Sequence, residues 1–256
     1  MTASQNNPKM PRRRKPIIVT DASSNRKHHQ GRESKAQRLT RMHEEYRILC
    51  QVFPEAVCAL HFRNPFELLV ATVLSAQTTD KRVNSVTPEL FERYPDPAAM
   101  AQAQPAELEA IIHPVGFYHA KARHLLGLSL MLTEDYGGKV PETMEELTSL
   151  PGVGRKTANV VLGNAFNIPG FPVDTHVTRV TGRLRWRTDW RSTHPDPVKI
   201  EHEICDCFPP EDWTNLSHRL ILHGRATCHA RKPDCLHCPL AETCPSAELL
   251  AGPASR

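Results

Sequence analysis

Helix start and stop signals recur along most of this chain, and they limit its fold more than any other feature. From Leu39 to Val52 the apolar positions Leu39, Met42, Tyr46, Leu49 and Cys50 fall at three- and four-residue steps, the spacing of an amphipathic helix. Asn64-Pro65 sets a capping residue before a proline at the first helical position, and Phe66 to Ala76 follows as a mostly apolar, hence buried, helix. Asp96-Pro97 opens a short helix, Pro105 precedes another at 106–112, and Lys121 to Tyr136 runs into a Gly137-Gly138 stop. Thr143 with Glu146 three residues on resembles a capping box. Lys156 to Phe166 reads as a further apolar helix, and Asp174 is placed to cap one over 175–184. Regular β alternation between hairpin turns is absent. The expected fold is all-α, with loops short enough for compact helix packing.

A length of 256 residues allows one to two domains, and 39% hydrophobic residues supply a core. No stretch approaches ~18 consecutive apolar residues, and the N-terminus lacks the apolar core of a secretory signal, so neither a membrane nor a secreted protein is expected. The formal net charge of +4 is unevenly spread. Residues 1–41 carry eleven Lys/Arg against Asp21 and Glu33, a net of +9, whereas 42–256 carry a net of −5. A cationic head without aromatic residues cannot bury enough surface to fold, and 1–36 is read as a disordered basic arm. Such arms are drawn to polyanions; a solvated tail or an organelle transit peptide has the same composition.

Of eight cysteines, Cys50, Cys58, Cys205 and Cys207 follow no ligand rhythm and are expected to be small buried apolar residues. Cys228, Cys235, Cys238 and Cys244 are spaced C-x6-C-x2-C-x5-C, and without a secretory signal metal is preferred to disulfides. Thiolates suit zinc and iron–sulfur sites alike, but structural zinc usually draws on two compact Cys-x2–4-Cys knuckles and this spacing holds one. Arg225, Arg231 and Lys232 lie in or beside that loop, where they could meet phosphates.

Leu150-Pro151-Gly152-Val153-Gly154-Arg155-Lys156 ends one helix, turns on two glycines and starts another. Val153 can plug the angle, and the exposed amides suit a phosphate oxygen, a helix-hairpin-helix pattern for holding DNA by its backbone; a plain interhelix turn could read the same way. Lys156 lies in a first helical turn, where the helix dipole and the neighbouring Arg155 both disfavour a cation and free its amine as a nucleophile. Asp174, eighteen residues on, could stabilise a sugar cation or handle protons. A phosphate-contacting lysine and a simple helix cap are the bland alternatives.

The run from Leu150 to Leu162, the Phe171-Pro172-Val173-Asp174-Thr175-His176-Val177-Thr178-Arg179-Val180 block and the terminal cysteine spacing together resemble the endonuclease III family of the helix-hairpin-helix DNA glycosylase superfamily. Leu74–Asp80 and Val115–Tyr118 match two further blocks in order, and the resemblance spans about 39–247. It implies two helical domains flanking a DNA-binding cleft: a six-helix domain at 58–168 with the hairpin, and 37–57 joined to 169–247 around one [4Fe-4S] cluster, with 248–256 a C-terminal tail. It implies that Lys156 attacks C1′ of an oxidised pyrimidine nucleotide, assisted by Asp174, and that the Schiff base cuts the strand 3′ to the lesion by β-elimination. The chemistry needs no catalytic metal. Gln77 would fill the gap left by the flipped nucleotide and Phe117 would be the wedge, where the family usually has an aliphatic residue. A buried amide is the alternative for Gln77, and a helix-packing role is expected for His176. Gly152, Val153, Gly154 and Arg155 complete the expected DNA contacts, the partner being double-stranded DNA with oxidised pyrimidines or abasic sites, bound by a monomer. A bacterial protein of this kind would be cytoplasmic and nucleoid-associated; a eukaryotic one, nuclear or mitochondrial. An adenine-mismatch glycosylase would lack Lys156 and carry a catalytic acid before Gln77, where Glu67 is the only acid from Phe66 on. A non-catalytic hairpin module is the remaining alternative.

Overall fold

The computed structural model describes residues 33–251, and no strand occurs among them. Most of the basic arm therefore lies outside the described residues. What is described begins earlier than expected: α1 (Lys35–Val52) is capped by Ser34, whose hydroxyl accepts from Gln37 N while the Gln37 side chain accepts from Ser34 N. This reciprocal box satisfies two terminal amides and recruits 34–36 into the helix. Leu39, expected on the buried stripe, is exposed, whereas Met42 and Leu49 are fully buried.

The first core is built by α2 (Pro65–Leu74), α3 (Asp80–Arg93), α4 (Pro97–Ala101), α5 (Pro105–Ile112), α6 (Tyr118–Asp135), α7 (Met144–Ser149) and α8 (Arg155–Ala165), and draws its buried side chains from between Leu60 and Leu162. Every residue of α2 after Pro65 is buried, so it is the axis on which α3, α6 and α8 pack. Asn64, Thr79, Asp96 and Thr143 each cap a helix through the side chain, and proline opens α2, α4 and α5.

A second core joins Met42, Tyr46 and Leu49 of α1 to side chains between Phe171 and Leu240, with Trp186 fully buried at its centre. It is framed by α9 (Thr175–Arg183), α10 (Pro197–Cys205) and α11 (Trp213–Ala226), and α12 (Ala247–Ala251) closes the described chain. α11 touches both α8 and α9, and it packs on α8 at Gly163, where any side chain would collide with Thr214. No helix among the described residues is long and apolar enough to cross a membrane.

Candidate nucleic-acid site and thiol cavity

The Leu150–Gly154 turn forms as its sequence requires. Gly152 has φ +78°, and a Cβ there would overlap His124 at 2.7 Å. Val153 is buried in the first core and pins the turn. Gly154 caps α8 without a side-chain bond, nothing lies within 4 Å of where its Cβ would be, and the first amides of α8 stay open to an incoming oxygen.

Lys156 is exposed in the first turn of α8, and its amine has no hydrogen-bond or ion-pair partner among the described residues. The repulsion expected from Arg155 is offset, because that guanidinium is bidentate with Glu201 at 2.8 and 2.9 Å. Asp174 caps α9 with Oδ1 accepting from Val177 N at 2.8 Å, leaving Oδ2 for His176 Nδ1 at 3.0 Å. His176 also packs against α11, within 3.2 Å of the Cβ position of Gly224. No bond joins Lys156 to Asp174; their helices share α11 as a common wall. Burial pushes the Cys58 thiol pKa up.

Gln77 and Phe117 are both exposed non-glycine residues held left-handed, at φ 56° and 49°. The exposure of Gln77 disposes of the buried-amide alternative. Phe117, 68% exposed, starts α6 beside a turn whose carbonyls are fixed by two cations: Arg82 Nη1 donates to Pro114 O at 3.0 Å and the buried Lys121 donates to Val115 O at 3.1 Å. Arg82 lies on α3, the helix that follows Gln77, so it ties the two loops together.

The four terminal cysteines line one largely apolar cavity, with Arg183, Leu184 and His223 among its other walls. Arg183 Nη1 donates to Cys228 Sγ at 3.3 Å, and His223 Nε2 lies 3.8 Å from Cys238 Sγ. No group of three or more His, Cys, Asp or Glu among the described residues is drawn together as for a single ion. Four thiols converging on one cavity, free of disulfides and with an arginine donor on one sulfur, are a donor set that fits an iron–sulfur cluster. Arg231 and Lys232 are exposed on that loop, as expected. Arg225 is ion-paired with Asp80 at 2.8 Å rather than free.

A family model described as the HhH-GPD superfamily base excision DNA repair protein matches residues 70–210. The endonuclease III of Synechocystis sp. is 49% identical over 216 residues, which is 84% of this chain and 95% of that one. The chain belongs to the endonuclease III family. The Bacillus subtilis endonuclease III is 46% identical over 196 residues, 75% of this chain and 86% of its own. Solved structures of endonuclease III with DNA, one non-covalent and one a trapped covalent intermediate, each superpose with a TM-score of 0.75 at 42% identity, over 81% of this chain and 96% of theirs.

Membership of the endonuclease III family makes this an enzyme of base excision DNA repair with the all-α helix-hairpin-helix fold. Sequence reasoning missed the partners of its charged residues. Arg155–Glu201 and Arg225–Asp80 join positions far apart in the chain, and no local pattern encodes them. The Arg82 and Lys121 contacts were missed too, although two cations near a Gly-containing turn in a chain of helices are a signal for carbonyl capping.

Proposed function

We propose that this chain is a bifunctional DNA glycosylase and AP lyase that acts on duplex DNA carrying oxidised pyrimidines or abasic sites. The observation that carries the reading is Lys156, an exposed amine without an ionic partner among the described residues, at the start of the helix that follows the glycine turn. With the damaged nucleotide rotated out of the stack, Lys156 Nζ attacks C1′. The N–C1′ bond forms as the glycosidic bond breaks, and the base leaves with that electron pair and gains a proton. Asp174 places negative charge beside the developing sugar cation and takes the proton the amine sheds. Opening of the sugar at O4′ gives an imine; removal of a C2′ proton then expels the 3′ phosphate and cuts the strand.

Gln77 and Phe117 fill and wedge the vacated stack, while Gly152, Val153 and Gly154 present amides to a phosphate and Arg231 and Lys232 add charge. The two separate cores support two lobes on either side of the DNA, one of 58–168 and one of 37–57 with 169–247. Cys228, Cys235, Cys238 and Cys244 would hold one [4Fe-4S] cluster, which when bound supplies a cross-link for the loop. In a bacterial cell such an enzyme works in the cytoplasm on the nucleoid.

Glu67 weighs against the adenine-mismatch reading. It is 2% exposed and closed off by Arg63, whose Nε and backbone N both donate to it. The test is borohydride trapping on an abasic duplex. Wild type becomes covalently attached; Lys156→Ala does not, yet keeps most of its affinity. Asp174→Asn, which preserves the cap, slows single turnover by about 10²–10⁴-fold. Wild-type trapping yield from Lys156→Ala would overturn the assignment.

A further inference from the structure

α9 turns Val177 and Val180 into the second core, while Thr175, Thr178, Arg179 and Arg183 line an open groove on its flank. Arg187 completes a set of three arginines in that lining, and no carboxylate of the described residues belongs to it. Arg179 and Arg183 donate to the carbonyls of Gly224, Cys228, His229 and Ala230, and Arg183 also to Cys228 Sγ, so neither is paired with a carboxylate among the described residues. Arg187 is 3% exposed; it pairs with Asp189, but its buried Nε finds no acceptor. The groove's other wall carries Trp190, with the Arg185 and Arg191 guanidiniums each 4.3 Å from its ring centroid. Arg185 Nε is likewise buried without an acceptor. Ser192, Thr193 and Ser246 add hydroxyls.

Three arginines in the lining, with hydroxyls beside them and Arg185 and Arg191 stacked on Trp190 at its edge, are a chemistry that receives phosphate oxygens. Its place identifies the source. Thr175 follows Asp174, the cap of α9, so the lining begins one residue from the proposed acid and runs along α9 for about 13 Å, at 1.5 Å per residue.

We propose that this groove is a second DNA contact, which takes the phosphodiester oxygens of the duplex flanking the lesion. The inference rests on the proposed function, because it needs DNA as the substrate and Asp174 beside the reacting sugar. The cluster loop and the glycine turn then grip the duplex near the lesion, and the α9 groove extends the grip a few nucleotides to one side.

The test uses full-length protein and duplexes with a reduced abasic analogue, either long on both sides or cut to three base pairs on one side or the other. Thr178→Glu and the more exposed Thr193→Glu each put a carboxylate in the groove; Gln102→Glu, exposed at the end of α4, makes the same charge change elsewhere. Thermal melting checks that each variant folds, and Thr193→Glu carries the test if Thr178→Glu does not. The groove variants should bind long duplex about tenfold more weakly, with the slope of log K against log salt smaller by ~0.9 for each phosphate no longer neutralised. Cutting one particular flank should abolish the difference from wild type. Equal losses from Gln102→Glu, a loss that persists whichever flank is cut, or no loss at all would overturn the proposal. Wild type that is trapped by borohydride while the groove variants bind normally sinks the groove alone; wild type that is not trapped sinks the proposed function.

Discussion

His218 joins α11 to α8, the helix that carries Lys156. Its Nε2 lies 2.8 Å from Asn164 Oδ1, bridging α11 to α8 close to the Gly163–Thr214 contact. Burial, aided by Arg219 and Arg225, pushes its pKa down to about 4. The folded chain therefore holds fewer protons than the unfolded one between pH ~6.5 and ~4, and stability falls as pH drops through that window. From pH 7 to pH 5 the loss should be about 2 kcal/mol. Urea midpoints of wild type and His218→Gln at the two pH values check this, and the variant should be the less acid-sensitive. An equal fall in both would mean that other groups set the acid response. At this scale the sequence nominated Lys156, Asp174, Gln77 and Phe117, each in a short contiguous block, and the structure leaves Lys156, Gln77 and Phe117 exposed. It misjudged Arg155, whose neighbour in sequence is Lys156 but whose partner in space is Glu201. Charge pairing across the fold has no local signature, so an electrostatic argument drawn from adjacent residues fails where a distant carboxylate intervenes.

Helix boundaries were legible where the backbone chemistry is local. The Asn64-Pro65, Asp96-Pro97 and Asp174 caps all formed, because a side-chain oxygen and a fixed proline φ act within three residues. α3 was harder to foresee, since Pro88 sits inside it; burial of Val83, Val86, Leu90 and Phe91 outweighs the hydrogen bond that proline removes. The cysteine loop is the opposite case: spacing nominated the four thiols, but their convergence on one cavity is tertiary, set by Arg179 and Arg183 reaching from α9 to the loop carbonyls. If the loop is a metal-pinned element, purified protein should be yellow-brown, with broad absorbance near 400 nm and about four irons per chain. Cys238→Ser should lower soluble yield more than activity per folded molecule, whereas Cys207→Ser, outside the cavity, should change neither. Colourless protein with one tightly bound zinc, prepared without air or chelators, would refute the cluster.

Across the whole molecule, charge is divided between a basic N-terminal segment and a net acidic remainder. Residues 1–41 are net +9 and the remainder net −5, so long-range attraction to DNA should depend heavily on the arm while the chemistry stays with Lys156 and Asp174. The capping box at Ser34 fixes where a truncation can be made without fraying α1. Deleting 1–32 removes Lys9, Arg12, Arg13, Arg14, Lys15, Arg26, Lys27 and Arg32 and spares the cap. If about four of these meet phosphates at any moment, the slope of log K against log salt on undamaged duplex should shrink by roughly 3.6, at ~0.9 per phosphate. Single-turnover cleavage at saturating protein should stay within about twofold, because positioning of the sugar is local to α8, α9 and the glycine turn. Equal salt slopes for the two proteins would make the arm a bystander in DNA binding. A collapse of the saturated rate would mean instead that the arm reaches the reacting nucleotide, and that the amine of Lys156 does not act with the described residues alone.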